Sequence, residues 1–385
     1  MAAAASVITH ALRSPPIGCR ADASALACRA SLKLEFFTED YYICRSDTRY
    51  RNLEATKCRP AALGSYHGVC SGRRRRMSSA RWCIVVADAA GPEWPPSEDN
   101  DAPRAPVQFC GLGEPTTILQ KALHRAGRIA NAGRVVVTAD ERNRSHWQPA
   151  LWFTRAEQRF VSESPGWSLL TTAAAVLSIG ARAPSALITI LPARSYVADE
   201  WTLTVALHRV LSDRSFLADG IVTLGMVSAQ PGVDEDYLVL SAPDGRPTVA
   251  VSVTAQRPAE WVARDLVRRG AVVASGIYVA YARALVALLY RYWPILTRKI
   301  LRHLRHSRVA GAENHIPPSL AREELRAASR AFWDRPPWMP VRAMRVAPCG
   351  WSSLASPHAI ERILTRQPRA LSRNLTAVAY RSQHP

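Results

Sequence analysis

Eight cysteines are the first residues in this chain whose type could do chemistry, and their spacing argues against it. Cys19, Cys28, Cys44, Cys58 and Cys70 stand far apart, with no C-x2-C pair and no paired histidines nearby, so a zinc site is not expected there. Cys83, Cys110 and Cys349 read as small buried hydrophobes in a reducing compartment. Cationic chemistry is the next candidate. The formal net charge is +19, and a basic face gains free energy by releasing counterions from a phosphate backbone. Only Lys33, Lys57, Lys121 and Lys299 are lysines, so arginine supplies 46 of the 50 basic residues, a bias of the kind GC-rich coding produces. The arginines are scattered, and the one dense run, 73–76, sits beside Ser71, Gly72, Ser78 and Ser79 and reads as a solvated linker. A second basic stretch, 298–308, carries Arg298, Lys299, Arg302, Arg305 and Arg308 with His303 and His306. It reads as a solvated helix face, and an anion- or membrane-surface patch would need a cleaner apolar face opposite it.

The elements that must position any site begin after the arginine run. Residues 1–80 show mixed charge and no sustained period; a run of alanines and three early arginines faintly suggest a transit peptide, but no apolar h-region precedes a cleavage site. A disordered extension or an over-extended gene start is expected there. From residue 81 to 367, short β-branched runs alternate with longer segments of helical period, the βαβ pattern of a sheet covered on both faces. Strands are expected at 83–86, 134–138, 187–191, 221–227, 248–253, 276–280 and 342–347, and helices at 115–126, 170–179, 200–211, 258–270, 282–303, 318–332 and 357–365. Residues 368–385 form a tail. The proline-rich acidic segment 92–106 is expected to be a mobile loop, and because it follows the first strand it would face the ligand crevice as a nucleotide lid. No apolar run approaches the roughly 18 residues of a membrane span. A soluble, cytoplasmic protein is expected, without a membrane or a specific nucleic acid as partner.

Six segments, in order, carry a resemblance. Residues 82–91 read W-C-I-V-V-A-D-A-A-G, a strand and turn; Pro106, Val107, Gln108, Phe109 and Cys110 precede Thr116, Thr117, Ile118, Leu119 and Gln120. Leu191, Pro192 and Ala193 precede Asp199 and Glu200, and Gly225 leads toward Tyr237. Arg257 and Pro258 precede the stretch from Gly270 to Tyr278, and Cys349, Gly350, Trp351, Ser352, Leu354 and Pro357 close the series. Together these resemble bacterial mannose-1-phosphate guanylyltransferases and their nucleotidyltransferase relatives over most of residues 82–367. The resemblance implies an α/β, GT-A-like, Rossmann-related domain with a mixed, mainly parallel sheet and helices on both faces. It further implies a Mg2+-dependent reaction of a nucleoside triphosphate with a sugar 1-phosphate, GTP and mannose 1-phosphate giving GDP-mannose and pyrophosphate.

Such a reaction gathers negative charge on an α-phosphate and a leaving pyrophosphate, so it needs a divalent cation, cationic side chains and backbone N–H groups. Magnesium takes hard oxygen ligands. The family places aspartates in L-P-A-D and W-S-D-L, and this chain has Arg194 and Ser353 there. Arginine repels a cation, although its guanidinium can itself hold a phosphate. Asp199 is the nearest remaining carboxylate, but the start of the following helix suits it to the N-terminal dipole. The resemblance gives Ala87, Asp88, Ala89, Gly91 and Gln108 as nucleotide-binding candidates, and Tyr237, Gln256, Arg257, Ser275 and Gly276 as sugar-phosphate candidates. The phosphate turn has one glycine, Gly91, followed by Pro92, which lacks an N–H, and Glu93, an anion where the family has arginine. Val107 replaces a lysine, and Val273 and Ala274 replace the Trp-Asn before Ser275. Beside that reading stands a plainer one, in which turn geometry and packing suffice for Pro192, Gly225, Gly276 and Tyr237.

Apolar scaffold is kept while polar catalytic positions are lost. Three readings stand: a nucleotidyltransferase homologue with metal-dependent binding of GTP or GDP-mannose, a pseudoenzyme that binds a nucleotide sugar or partner subunit without metal, and a basic nucleic-acid-associated protein acting through residues 1–80. The sequence leaves the nucleobase, the sugar and the oligomeric state open.

Overall fold

The computed structural model describes residues 80–320 and 341–366, apart from 89–90, 95–104, 164–165, 218–219, 229–231, 233 and 308. The extension through residue 79 with its arginine run, the candidate Ala89, most of the helix expected at 318–332 and the tail 368–385 lie outside the described residues.

Among the described residues a ten-stranded sheet is built from β1 (Arg81–Val86), β2 (Val135–Asp140), β3 (Arg159–Ser162), β4 (Leu187–Pro192), β5 (Ile221–Met226), β6 (Tyr237–Leu240), β7 (Val249–Ala255), β8 (Val272–Tyr281), β9 (Asn314–Ile316) and β10 (Val341–Val346). Their spatial order is β9-β3-β2-β1-β4-β8-β5-β10-β7-β6. From β9 to β4 every pairing is parallel. β8 then runs antiparallel to both β4 and β5, and β7 antiparallel to β10 and β6, while β10 lies parallel to β5. The sheet is therefore mixed, parallel in one half and largely antiparallel in the other.

Strand alternation divides the core. In β1, Cys83 and Val85 face one cluster with Leu119, Ala122, Leu203 and Leu207, whereas Ile84 faces another with Leu170, Leu177, Leu285 and Ile300. The first face is covered by α1 (Ile118–Ile129) and α3 (Glu200–Ser212), the second by α2 (Ser168–Arg182), α5 (Ala282–Tyr292) and α6 (Pro294–His306). Burying each such aliphatic side chain contributes about 1.5–3 kcal/mol. A one-residue slip of β1 would exchange its two inner faces, so its register to β4, Val86 beside Pro192, is firmly set. α4 (Glu260–Arg268) and α7 (Pro357–Arg366) complete the helices used below.

Three expectations need correction. The helix foreseen across 282–303 is two, because Trp293 closes α5 at φ −135°, ψ 63° and Pro294, with no N–H to donate, opens α6. β3, β6 and β9 were not foreseen; four residues or fewer give too little period to read. The segment 92–106 is not loop throughout, since Glu93–Trp94 pairs antiparallel with Ala105–Pro106. No described helix is long and apolar enough to cross a membrane.

Candidate functional site

β1 and β4 end side by side, and their C-terminal ends open onto a cavity of about 330 Å3 lined by Arg194, Asp236, Ser275, Gly276, Trp351 and Ser353, among others. Each of these arrives from a different part of the chain. Arg194 follows the end of β4, where Ala193 N donates to Val86 O at 2.9 Å and ties the two strand ends together. Ser353 is brought in by a short antiparallel ladder, Ser352–Ser353 against Ser195–Tyr196, and Leu354 N donates to Arg194 O at 3.3 Å. Ser275 and Gly276 sit in an irregularity of β8 between Ala274 and Tyr278. Gly276 has φ +70°, which a side chain would resist, and a Cβ there would lie 3.4 Å from Pro192 Cγ. The Ser275 hydroxyl donates to Leu224 O at 2.6 Å and accepts from Ile277 N at 3.0 Å, so it holds the bulge.

One cation, Arg194, and one carboxylate, Asp236, line the cavity, and a second cation, Arg257, acts on Arg194. Arg194 is half-buried, and among the described residues no carboxylate or carbonyl accepts from its guanidinium. Its pKa is lowered by burial first and then by the positive charge of Arg257. Arg257 is exposed, holds an unusual φ of +36°, and is fixed by its backbone N–H to Asp236 Oδ1 at 3.1 Å. A Cβ on Gly91 would stand 2.9 Å from both Cδ and Nη1 of Arg194. The lack of a side chain at Gly91 is thus what gives this guanidinium its place.

The other sequence-derived candidates divide. Gln108 is buried and donates to Ala87 O at 3.2 Å, which ties two nucleotide candidates to each other. Asp88 is fully buried and accepts from Thr138 Oγ1 at 2.7 Å and Thr171 Oγ1 at 2.6 Å, with burial pushing its pKa up to about 6. Tyr237 is fully buried, and its hydroxyl donates to Gly232 O at 2.8 Å. Alternation along β6 explains this: Leu238 and the preceding Asp236 face the cavity, so Tyr237 faces the core. Gln256 is exposed. Asp199 caps α3, accepting from Trp201 N at 3.0 Å and Thr202 N at 3.1 Å. The sequence reading missed Asp236, Thr254 and Thr172, which line the cavity. The only signal for Asp236 was its place beside Tyr237.

Magnesium does not suit this donor set. One carboxylate, Asp236, faces the cavity against Arg194, and Ser353 adds a neutral hydroxyl. Among the described residues no three His, Cys, Asp or Glu side chains gather where they could share an ion. A second cavity, about 370 Å3, lies on the other side of Trp351 and is lined by Met226, Glu235, Val273, Cys349 and Arg362. None of the sequence-derived site residues lines it.

No protein-family model and no curated protein matches the chain. Among solved structures, it is similar to a mannose-1-phosphate geranyltransferase from Thermus thermophilus, at 20% identity and a TM-score of 0.54, over 74% of this chain and 78% of that one. It is also similar to a mannose-6-phosphate isomerase from Helicobacter pylori, at 12% identity and a TM-score of 0.52, over 71% of this chain and the whole of that one. These likenesses establish a shared α/β fold.

Proposed function

We propose that the strand-end cavity binds a nucleotide sugar of the GDP-mannose type through its phosphates, without catalysing nucleotidyl transfer. The observation that carries this is the Arg194 guanidinium, half-buried beside the charge of Arg257 and lacking an acceptor among the described residues. A half-buried cation with no acceptor among the described residues bears a desolvation cost, and an anion entering the cavity would relieve both that cost and the repulsion from Arg257. Guanidinium forks match phosphate oxygens and need no metal between them. The sequence resemblance to mannose-1-phosphate guanylyltransferases supports the ligand class, as do the sugar phosphates in the names of both similar structures. Transfer itself requires stabilisation of charge on the leaving pyrophosphate. The aspartates that would hold the metal are Arg194 and Ser353 here, and Glu93 stands where the phosphate turn needs a cation.

The test is isothermal titration of the full chain with GDP-mannose, in magnesium and in EDTA, alongside pyrophosphate release from GTP and mannose 1-phosphate. Equal affinity in the two buffers, a loss of about tenfold or more in Arg194→Ala and no pyrophosphate are expected, since a charge-assisted hydrogen bond is worth about 1.5–3 kcal/mol. Binding that needs magnesium, or clear pyrophosphate release, would overturn the reading.

A further inference from the structure

From residue 266 to 312 the sequence contains no Asp or Glu, yet it carries Arg268, Arg269, Arg283, Arg291, Arg298, Lys299, Arg302, Arg305 and Arg308. Arg268 and Arg269 pair with Asp265 at 3.2 and 2.7 Å, and Arg308 lies outside the described residues, so the α5–α6 surface is made by others of the set. In α6, Arg298, Arg302 and Arg305 are all exposed, and steps of four and seven residues place them in one stripe along the helix, about 10 Å from first to last. Arg291, exposed near the end of α5, precedes them. Among the described residues none of these four guanidiniums forms an ion pair or a side-chain hydrogen bond. The nearest acid in sequence, Glu313, is already held by Arg144 at 2.7 Å and Arg159 at 3.2 Å. His306 adds an exposed ring in the last turn.

The opposite face of α6 decides what kind of polyanion fits. Leu296 and Ile300 are buried, and Leu301 and Leu304 pack with them against the cluster formed by α2 and α5. Of the large hydrophobic residues of α6 only Ile295, in the first turn, is exposed, and one isolated side chain is too little for an amphipathic wedge into a lipid surface. Single-stranded nucleic acids are held largely by stacking on exposed aromatics. Tyr290, Tyr292 and Trp293, the aromatics nearest the stripe, pack against the core instead. What remains is a rigid row of guanidiniums with no base-reading groups between them.

We infer that the α5–α6 face is a sequence-independent docking surface for the phosphate backbone of a nucleic-acid duplex. It is distinct from the strand-end cavity and does not rest on the function proposed for that cavity. The logarithm of the affinity should fall linearly with the logarithm of salt concentration, with a slope of about −0.9 for each phosphate contacted.

The experiment uses the full chain and a fluorescein-labelled random-sequence DNA duplex, with anisotropy titrations across a series of KCl concentrations. The stripe variant combines Arg298→Gln, Arg302→Gln and Arg305→Gln, exposed changes that keep helix-forming residues. A control variant removes the same charge elsewhere through Arg134→Gln, Arg142→Gln and Arg155→Gln, also exposed. The stripe variant is expected to lose at least tenfold in affinity at low salt and to show a salt slope shallower by about 2 to 3, while the control changes less than twofold. No duplex binding by the native chain, or equal effects of the two variants, would overturn the proposal. So would a stripe variant that loses binding to phosphatidylserine vesicles but keeps its affinity for the duplex.

Discussion

Asp88 shows how much one residue can be shaped by its surroundings. Both of its oxygens accept threonine hydroxyls, yet it is fully buried and none of the groups acting on it is a cation. Burial raises its pKa from 3.8 to about 6, the two threonine bonds oppose the rise, and Asp140 adds to it. The folded chain therefore holds this proton more tightly than the unfolded chain does. The stabilisation is complete below the unfolded value near 3.9 and is lost as pH rises toward 6, a difference of about 3 kcal/mol across that window. Asn at this position keeps the size and can still bond both hydroxyls, but it has no charge to desolvate. Asp88→Asn is thus expected to be more stable than the native chain at pH 7 by up to about 3 kcal/mol, with the gap closing by pH 4. Urea denaturation at a series of pH values reads this directly. A constant difference between the two proteins from pH 4 to pH 7 would show that the carboxyl does not titrate in this window. The cost of Asp88 at neutral pH lies at the end of β1, where strand ends feed the candidate site.

At the level of elements, local chemistry fixes where helices begin. α1 opens with a reciprocal cap: Gln120 N donates to Thr117 Oγ1 at 3.1 Å and Thr117 N donates to Gln120 Oε1 at 2.8 Å. Thr117→Ala removes one of these and leaves Gln120 N without its acceptor, so a loss of about 1 kcal/mol is expected. A denaturation midpoint unchanged from the native chain would mean that solvent replaces the cap in full. This element was legible in the sequence, as were β1, β2, β4, β5 and the body of α2 and α3, because long apolar runs and strong caps state their period locally. β6 was not. Its four residues follow a broken stretch, and only the pairing of Tyr237 with Val273 and Ala255 fixes which side chains turn inward. That phase turns Asp236, and not the resemblance-derived candidate Tyr237, toward the cavity. Arg194 and Ser353 were identified by their motifs, but the seat that Gly91 leaves for Arg194 depends on a contact across a hundred residues, which no local pattern carries.

Across the whole molecule, the cavity exists because β4, β8 and the segment before α7 converge on one end of the sheet, although they lie far apart in the chain. The backbone that brings Arg194 and Ser353 together is secured independently of their side chains, by the ladder of Ser352 and Ser353 against Tyr196 and Ser195 and by Leu354 N on Arg194 O. Replacing both side chains should therefore change the charge of the site without moving its frame. Arg194→Asp combined with Ser353→Asp removes the guanidinium that repels a cation and supplies two hard oxygen donors facing the cavity that Asp236 also lines. The double variant is expected to bind Mn2+ at least tenfold more tightly than the native chain in isothermal titration, and each single variant to gain less, since either alone leaves an incomplete donor set. It should also exchange the metal-independent binding expected of the native chain for binding of GDP-mannose that EDTA abolishes. No gain in Mn2+ affinity, with circular dichroism unchanged, would show that carboxylates at these two positions do not build a metal site on this frame.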